Sequence, residues 1–181
     1  MKPTFATAAA VITVTAAIGT TTLGQSAAPP TQLLRTQTAF DIVVHLPYAE
    51  AAPLFGPEGE RPWAGKHWDP QFLYPQPAHD EQGAVFTVHH GPVTAVWVNT
   101  LFDLEAQHFQ YAYFIPDIMV TTIDLRFKST DPINTQVHVV YTRTALTLEG
   151  NDHVTAFTAI DKSASRDWQQ SIDSHLVSRK Q

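Results

Sequence analysis

The chain has 181 residues, a formal charge of −6 at neutral pH and no cysteine. An anionic surface repels phosphates, which excludes the basic stripe of a nucleic-acid binder. Without cysteine there is no disulfide and no thiol chemistry, so the fold must rest on its apolar core.

The first thirty residues, MKPTFATAAAVITVTAAIGTTTLGQSAAPP, begin with a cation at Lys2. An Ala/Val/Ile/Thr stretch follows from Ala6 to Ile18, and small residues continue to Ala28. This order predicts a secretory signal peptide over 1–28, hence an exported protein, periplasmic or secreted. The apolar part is too short for a spanning helix, which needs roughly 20 mostly apolar residues. A leader left uncleaved would instead anchor the domain and bring it transient membrane contact. Residues 29–36, with Pro29-Pro30, read as a linker, and 37–181 as one domain of ordinary size with one core.

TAFDIVVHL (38–46) has the β-branched run of a first strand. PYAEAAPLF (47–55) reads as a short helical segment, started by Pro47 and limited by Pro53. From Phe55 to Pro75 the chain is too rich in proline and glycine to be one regular element, and too aromatic to be a solvated loop. GAVFTVHH (83–90) and TAVWVNTLFD (94–103) flank Gly91-Pro92 as a hairpin. HFQYAYFI (108–115), IMVTTIDLRF (118–127) and NTQVHVVYTRTAL (134–146) continue an antiparallel meander of five or six strands. Alternation places Tyr111, Tyr113, Thr121, Tyr141 and Arg143 on inward faces. Beyond the turn at 149–152, Asn151 or Asp152 is the candidate N-cap. Val154, Phe157, Ile160, Ala164, Trp168, Ile172 and Leu176 then recur at steps of three and four, the stripe of a long amphipathic helix. Asp161, Lys162, Arg166, Gln169 and Gln170 form its polar face. A sheet and one long helix hide their apolar faces by packing together, an α+β layout.

Several segments resemble the START/polyketide-cyclase (SRPBCC) superfamily: LFGPEGERPW (54–63), HWDPQFLYP (67–75), GAVF (83–86), AVWVNTLFD (95–103) and VVYTRTALTLEG (139–150). The resemblance runs from about Thr38 to Leu176. It implies a helix-grip fold, a curved antiparallel sheet wrapped around the C-terminal helix, with a cavity for an apolar small molecule or lipid between them. Members bind lipids, sterols or polyketides, and some catalyse cyclisation or dehydration, so the fold does not name the function.

Against that frame Phe55–Pro75 reads as a rigid cap on the grip. Glu60 beside Arg61 reads as an ion pair or capping arrangement, because a neighbouring cation makes a carboxylate less basic. His89 and His90 are adjacent on a strand and point to opposite faces, and no HExxH spacing occurs. Only distant residues such as His67, Asp69 and His108 could be gathered around a metal, so neither a metal nor another cofactor is expected. No G-x-S-x-G turn exposes a serine, and no glycine-rich phosphate loop is present.

What remains is an aromatic cavity with a few polar groups, the usual form of a small-molecule site. Its candidate ligand-binding residues are Trp63, Trp97, Tyr111, Tyr113, Thr121, Tyr141, Arg143 and Trp168. The leading reading is a non-catalytic exported binding protein. The alternatives are a cyclase or dehydrase in which Arg143 with a Tyr or His steadies an enolate, and a protein-interaction adaptor with a filled core.

Overall fold

Strands alternating between an apolar and a polar face make the expected meander, and a computed structural model of the chain describes residues 31–90 and 93–179. The predicted signal peptide and the Gly91-Pro92 turn lie outside the described residues. Strand β1 (Arg35–Val44) is followed by α1 (Tyr48–Ala51), a 3-10 turn (Ala52–Phe55) and α2 (Pro57–Glu60). Then come β2 (Gln71–Tyr74), β3 (Val85–His90), β4 (Val93–Asp103), β5 (His108–Ile115), β6 (Met119–Asp131), β7 (Asn134–Ala145) and α3 (Gly150–Ser178).

One seven-stranded sheet runs in the order β1-β7-β6-β5-β4-β3-β2, antiparallel throughout. The extra strand against the expected five or six is β2. Prolines flank it at Pro70 and Pro75, which hid it in the sequence; at a sheet edge they break no ladder. Register shifts interrupt β4 between Asn99 and Leu101 and β6 between Ser129 and Asp131. Bulges of this kind bend strands and increase twist, and the sheet curls around α3.

The inward faces are as the alternation predicted. Phe109, Tyr111, Tyr113, Ile115, Met119, Thr121, Ile123, Leu125, Phe127, Val137, Val139, Tyr141 and Arg143 are all buried. Helix α3 packs chiefly on β1 and β7. Its side chains also seal the edge strand: the Gln169 amide accepts from the Val43 N–H at 2.9 Å and donates to the Val43 carbonyl at 2.8 Å. Ser165 donates to the Asp41 carbonyl at 2.7 Å. An edge whose backbone groups are taken by a helix is not free to recruit another strand.

Two details of α3 differ from the sequence reading. No side chain of Asn151 or Asp152 caps it; the Gly150 N–H donates to Thr147 Oγ1 at 3.1 Å. Asn151, buried in the first turn, accepts from the Leu34 N–H at 2.7 Å and donates to the Gln32 carbonyl at 3.0 Å. It thereby fastens the segment ahead of β1. The stripe is also rotated. Asp161, placed on the polar face by periodicity, is 9 % exposed, and Ile160 is 63 % exposed. Val154, Asp161, Trp168 and Ile172 form the inner line, because Arg143 offers Asp161 a buried partner. No helix among the described residues is long and apolar enough to cross a membrane.

Candidate functional site

Strand register builds one side of the site before any loop is considered. Phe72, Phe86, Trp97, Tyr113, Thr121, Arg143 and Thr36 are successive cross-strand partners from one sheet edge to the other. A second row, Tyr111–Ile123–Tyr141, lies beside it. Large side chains directly opposite one another stack: Phe72–Phe86 at 5.4 Å, Phe86–Trp97 at 5.8 Å and Trp97–Tyr113 at 4.3 Å between ring centroids. Between this aromatic surface and α3 is a cavity of about 390 Å³, within the range of small-molecule sites.

The stretch from Phe55 to Pro75 closes one end, as a cap. Trp63 donates its indole N–H to the Leu54 carbonyl at 2.7 Å, and Trp68 donates to the Pro57 carbonyl at 2.9 Å. Arg61 holds the loop by donating to Glu58 at 2.8 Å, to Asp69 at 2.6 Å and to the Pro70 carbonyl. Asp80 receives the N–H groups of Glu58 and Gly59 at 2.8 and 3.2 Å. At Gly59 a Cβ would sit 1.8 Å from the Pro53 carbonyl oxygen. Only glycine lets α2 fold back that tightly.

Seven of the eight residues expected to bind a ligand line the cavity: Trp63, Trp97, Tyr111, Tyr113, Tyr141, Arg143 and Trp168. Thr121 does not. It is fully buried, directly cross-strand from Tyr113, outside the cavity wall. Trp68 joins the wall, so all four tryptophans of the chain meet there. Trp63 meets Trp168 edge-on at 5.3 Å, and Trp68 meets Trp97 at 5.2 Å. The Trp97 indole nitrogen is buried without an acceptor among the described residues.

Arg143 is not the free cation that an anionic ligand would need. Both terminal nitrogens donate to the Asp161 carboxylate, one to Oδ1 at 2.9 Å and the other to Oδ2. Thr38 also donates to Asp161 Oδ2, at 2.6 Å. The guanidinium lies 4.5 Å from the Tyr141 ring centroid, where cation–π attraction adds to the pairing. An enolate seeking Arg143 would have to displace Asp161.

Glu60 overturns its sequence reading. Arg61 pairs with Glu58 and Asp69, not with Glu60. Glu60 turns into the cavity wall, and its side chain makes no hydrogen bond or ion pair among the described residues. It is only partly buried by area because it faces the hollow. Burial, and then the charge of Asp80, push its pKa well above the usual carboxylate range. Burial raises the Tyr111 and Tyr141 hydroxyls well above their ordinary value too, with the Glu60 charge the next cause in each. Asp80 itself is raised by burial, against the lowering pull of the two N–H groups it accepts. The sequence held one signal for Glu60: a carboxylate inside a tryptophan-rich turn. The adjacent Arg61 masked it.

Folded Glu60 keeps its proton to higher pH than it does in the unfolded chain. Stability is therefore complete below the ordinary carboxylate pKa and declines as pH rises through the raised value. Glu60→Gln is expected to raise Tm by a few degrees at mildly alkaline pH and to leave it unchanged in acid. A pH-independent effect in thermal melts would show that Glu60 is solvated.

Among the described residues no three His, Asp or Glu side chains gather as a metal site. Asp69 is held by Arg61, and His108 pairs with Asp124 at 2.6 Å on the outer face of the sheet. The His67–Asp69–His108 arrangement does not form.

No protein-family model matches the chain, and no curated protein matches it in sequence. Solved structures match its fold. Norcoclaurine synthase from Thalictrum flavum, in complex with dopamine and hydroxybenzaldehyde, superimposes with a TM-score of 0.58 at 8 % identity, covering 82 % of this chain and 90 % of that one. The Zhui aromatase/cyclase from Streptomyces sp. R1128 gives 0.57 at 12 % identity, covering 82 % and 97 %. Ara h 8.0201 gives 0.55 at 12 % identity, covering 80 % and 99 %. With its curved seven-stranded sheet closed on α3, the chain has the helix-grip fold of these proteins, the fold implied by its resemblance to the START/polyketide-cyclase superfamily.

Proposed function

We propose that this chain is an exported binding protein that holds an apolar small molecule between its sheet and its C-terminal helix. The observation that carries the reading is the cavity of about 390 Å³, walled by all four tryptophans and three tyrosines. Stacked aromatic walls offer large apolar area at low conformational cost. An adaptor whose core is filled would leave no such space. The pairing of Arg143 with Asp161 removes the cation on which an enolate-stabilising cyclase would rely.

Export follows from the layout of residues 1–28 and is tested by N-terminal sequencing of the protein recovered from its source. A lipid ligand is one form of the proposal, with an uncleaved leader bringing the domain to the membrane.

Native mass spectrometry of the domain, followed by solvent extraction, tests the binding reading. The expected result is a stoichiometric apolar adduct, either retained through purification or acquired from mixed lipid and polyketide extracts. A protein that stays empty after both would remove the binding reading.

A further inference from the structure

The cavity holds one ionisable side chain without a hydrogen-bond or ion-pair partner among the described residues. The other charges in its wall are compensated: Arg143 is spent on Asp161, and Asp167 is exposed at the rim with Arg166 3.0 Å away. Glu60 stands alone among Trp63, Trp68, Tyr111 and Tyr141. A buried polar group left without a partner costs the full desolvation of that group. A ligand that supplies the partner recovers this cost, so the unpaired group selects what binds.

We propose that Glu60 is the recognition group of this cavity, and that it selects an uncharged aromatic molecule carrying an acceptor oxygen, such as a ketone or quinone carbonyl, to which it donates its O–H. This rests on the reading of the cavity as a ligand site. Three features favour such a ligand over an anionic one. Among the described residues no free cation lines the wall to receive a carboxylate or phosphate. Asp80, in the loop after β2, adds negative potential at Glu60. Burial keeps Glu60 protonated beyond the normal range of a carboxylic acid, and in that form it is a donor.

The groups around Glu60 set the sign of the pH dependence. Asp80 raises its pKa directly, and the Tyr111 and Tyr141 hydroxyls, from β5 and β7, interact with its charge. Asp161 and Arg143 face the same space as a neutralised pair. As pH rises through the pKa of Glu60, the O–H donor becomes an anion that repels an acceptor oxygen. Affinity for a carbonyl ligand then falls. A protonated amine would show the opposite sign, gaining a counter-ion as Glu60 ionises.

Three fluorescent probes test this in the full domain. Prodan is a neutral naphthyl ketone whose emission moves to the red when its carbonyl accepts a hydrogen bond; the corresponding naphthoate is its anionic counterpart, and anthracene has no acceptor. Between about pH 5 and about pH 9, prodan affinity relative to anthracene is expected to fall about tenfold, the ratio carried by one hydrogen bond. Its bound emission should move to the blue over the same range. The naphthoate should bind more weakly than prodan at the alkaline end, where two carboxylates would share the cavity. Glu60→Gln, which donates without titrating, should flatten the profile. Glu60→Leu should lower the prodan-to-anthracene ratio about tenfold and leave the bound emission blue. If prodan and anthracene keep a constant ratio across pH and across these variants, the proposal fails and the cavity remains a non-selective apolar site. If no probe binds, the ligand-site reading fails and this proposal with it.

Discussion

Arg143→Ala and Asp161→Ala are each expected to cost about 3–5 kcal/mol of stability, because each leaves an uncompensated charge in a largely buried site. The side chains of Arg143 and Asp161 are only 5 % and 6 % exposed, and two charge-assisted hydrogen bonds join them. This connection ties β7 to the middle of α3 in the cavity wall. Replacing both partners together, as Arg143→Met with Asp161→Leu, should recover most of the loss, since apolar side chains of similar volume carry no desolvation penalty. Recovery will be incomplete by about 1 kcal/mol, because the Thr38 hydroxyl loses its acceptor. Urea unfolding with a constant m value measures all three variants. Single-variant losses below about 1 kcal/mol would mean that the pair is solvated and behaves as a surface bridge.

Phe55→Ala is expected to destabilise by about 3–5 kcal/mol, the usual cost of removing a fully buried aromatic ring. Phe55 has no exposed surface, and its ring lies 5.3 Å from Phe127, 5.8 Å from Trp63 and 6.3 Å from Trp168. It also fixes the cap through its backbone, since its carbonyl accepts the Tyr111 hydroxyl. The cavity therefore depends on a residue outside its own wall. Loss of the ring should loosen the cap, and tryptophan emission should shift to the red as water reaches Trp63 and Trp168. Leu73→Ala is the matched control: Leu73 is 62 % exposed on the edge strand β2 and should fall within about 0.5 kcal/mol of the parent. A Phe55→Ala cost no larger than that of Leu73→Ala would show that the cap is not part of the cooperative core.

The sheet was legible in the chain because a strand repeats every two residues. Each apolar residue of 108–115, 118–127 and 134–146 thus declared its face independently of distant contacts. The register of three strands then carried Tyr111, Tyr113, Tyr141 and Arg143 to a common side. Trp168 was legible in the same way from the helical period. Thr121 shared the inward face with them, but a small side chain in a row of large ones lies below the wall and not in it.

Local patterns failed where a side chain had two neighbours to choose from. Periodicity placed Asp161 outside, since a lone aspartate on a helix is best solvated; Arg143, eighteen residues earlier in the chain, made the inside better. Chain adjacency joined Glu60 to Arg61. Glu58 and Asp69 took that guanidinium instead, and Glu60 lines the cavity. Hydrophobic periodicity is additive along the chain, so the sequence by itself determined six of the strands, the long helix and their α+β layout, while the helix grip was implied by the resemblance to the START/polyketide-cyclase superfamily. Ion pairing depends on three-dimensional distance and on dielectric, so only the tertiary structure decided which charges of this protein are compensated and which one faces the cavity alone.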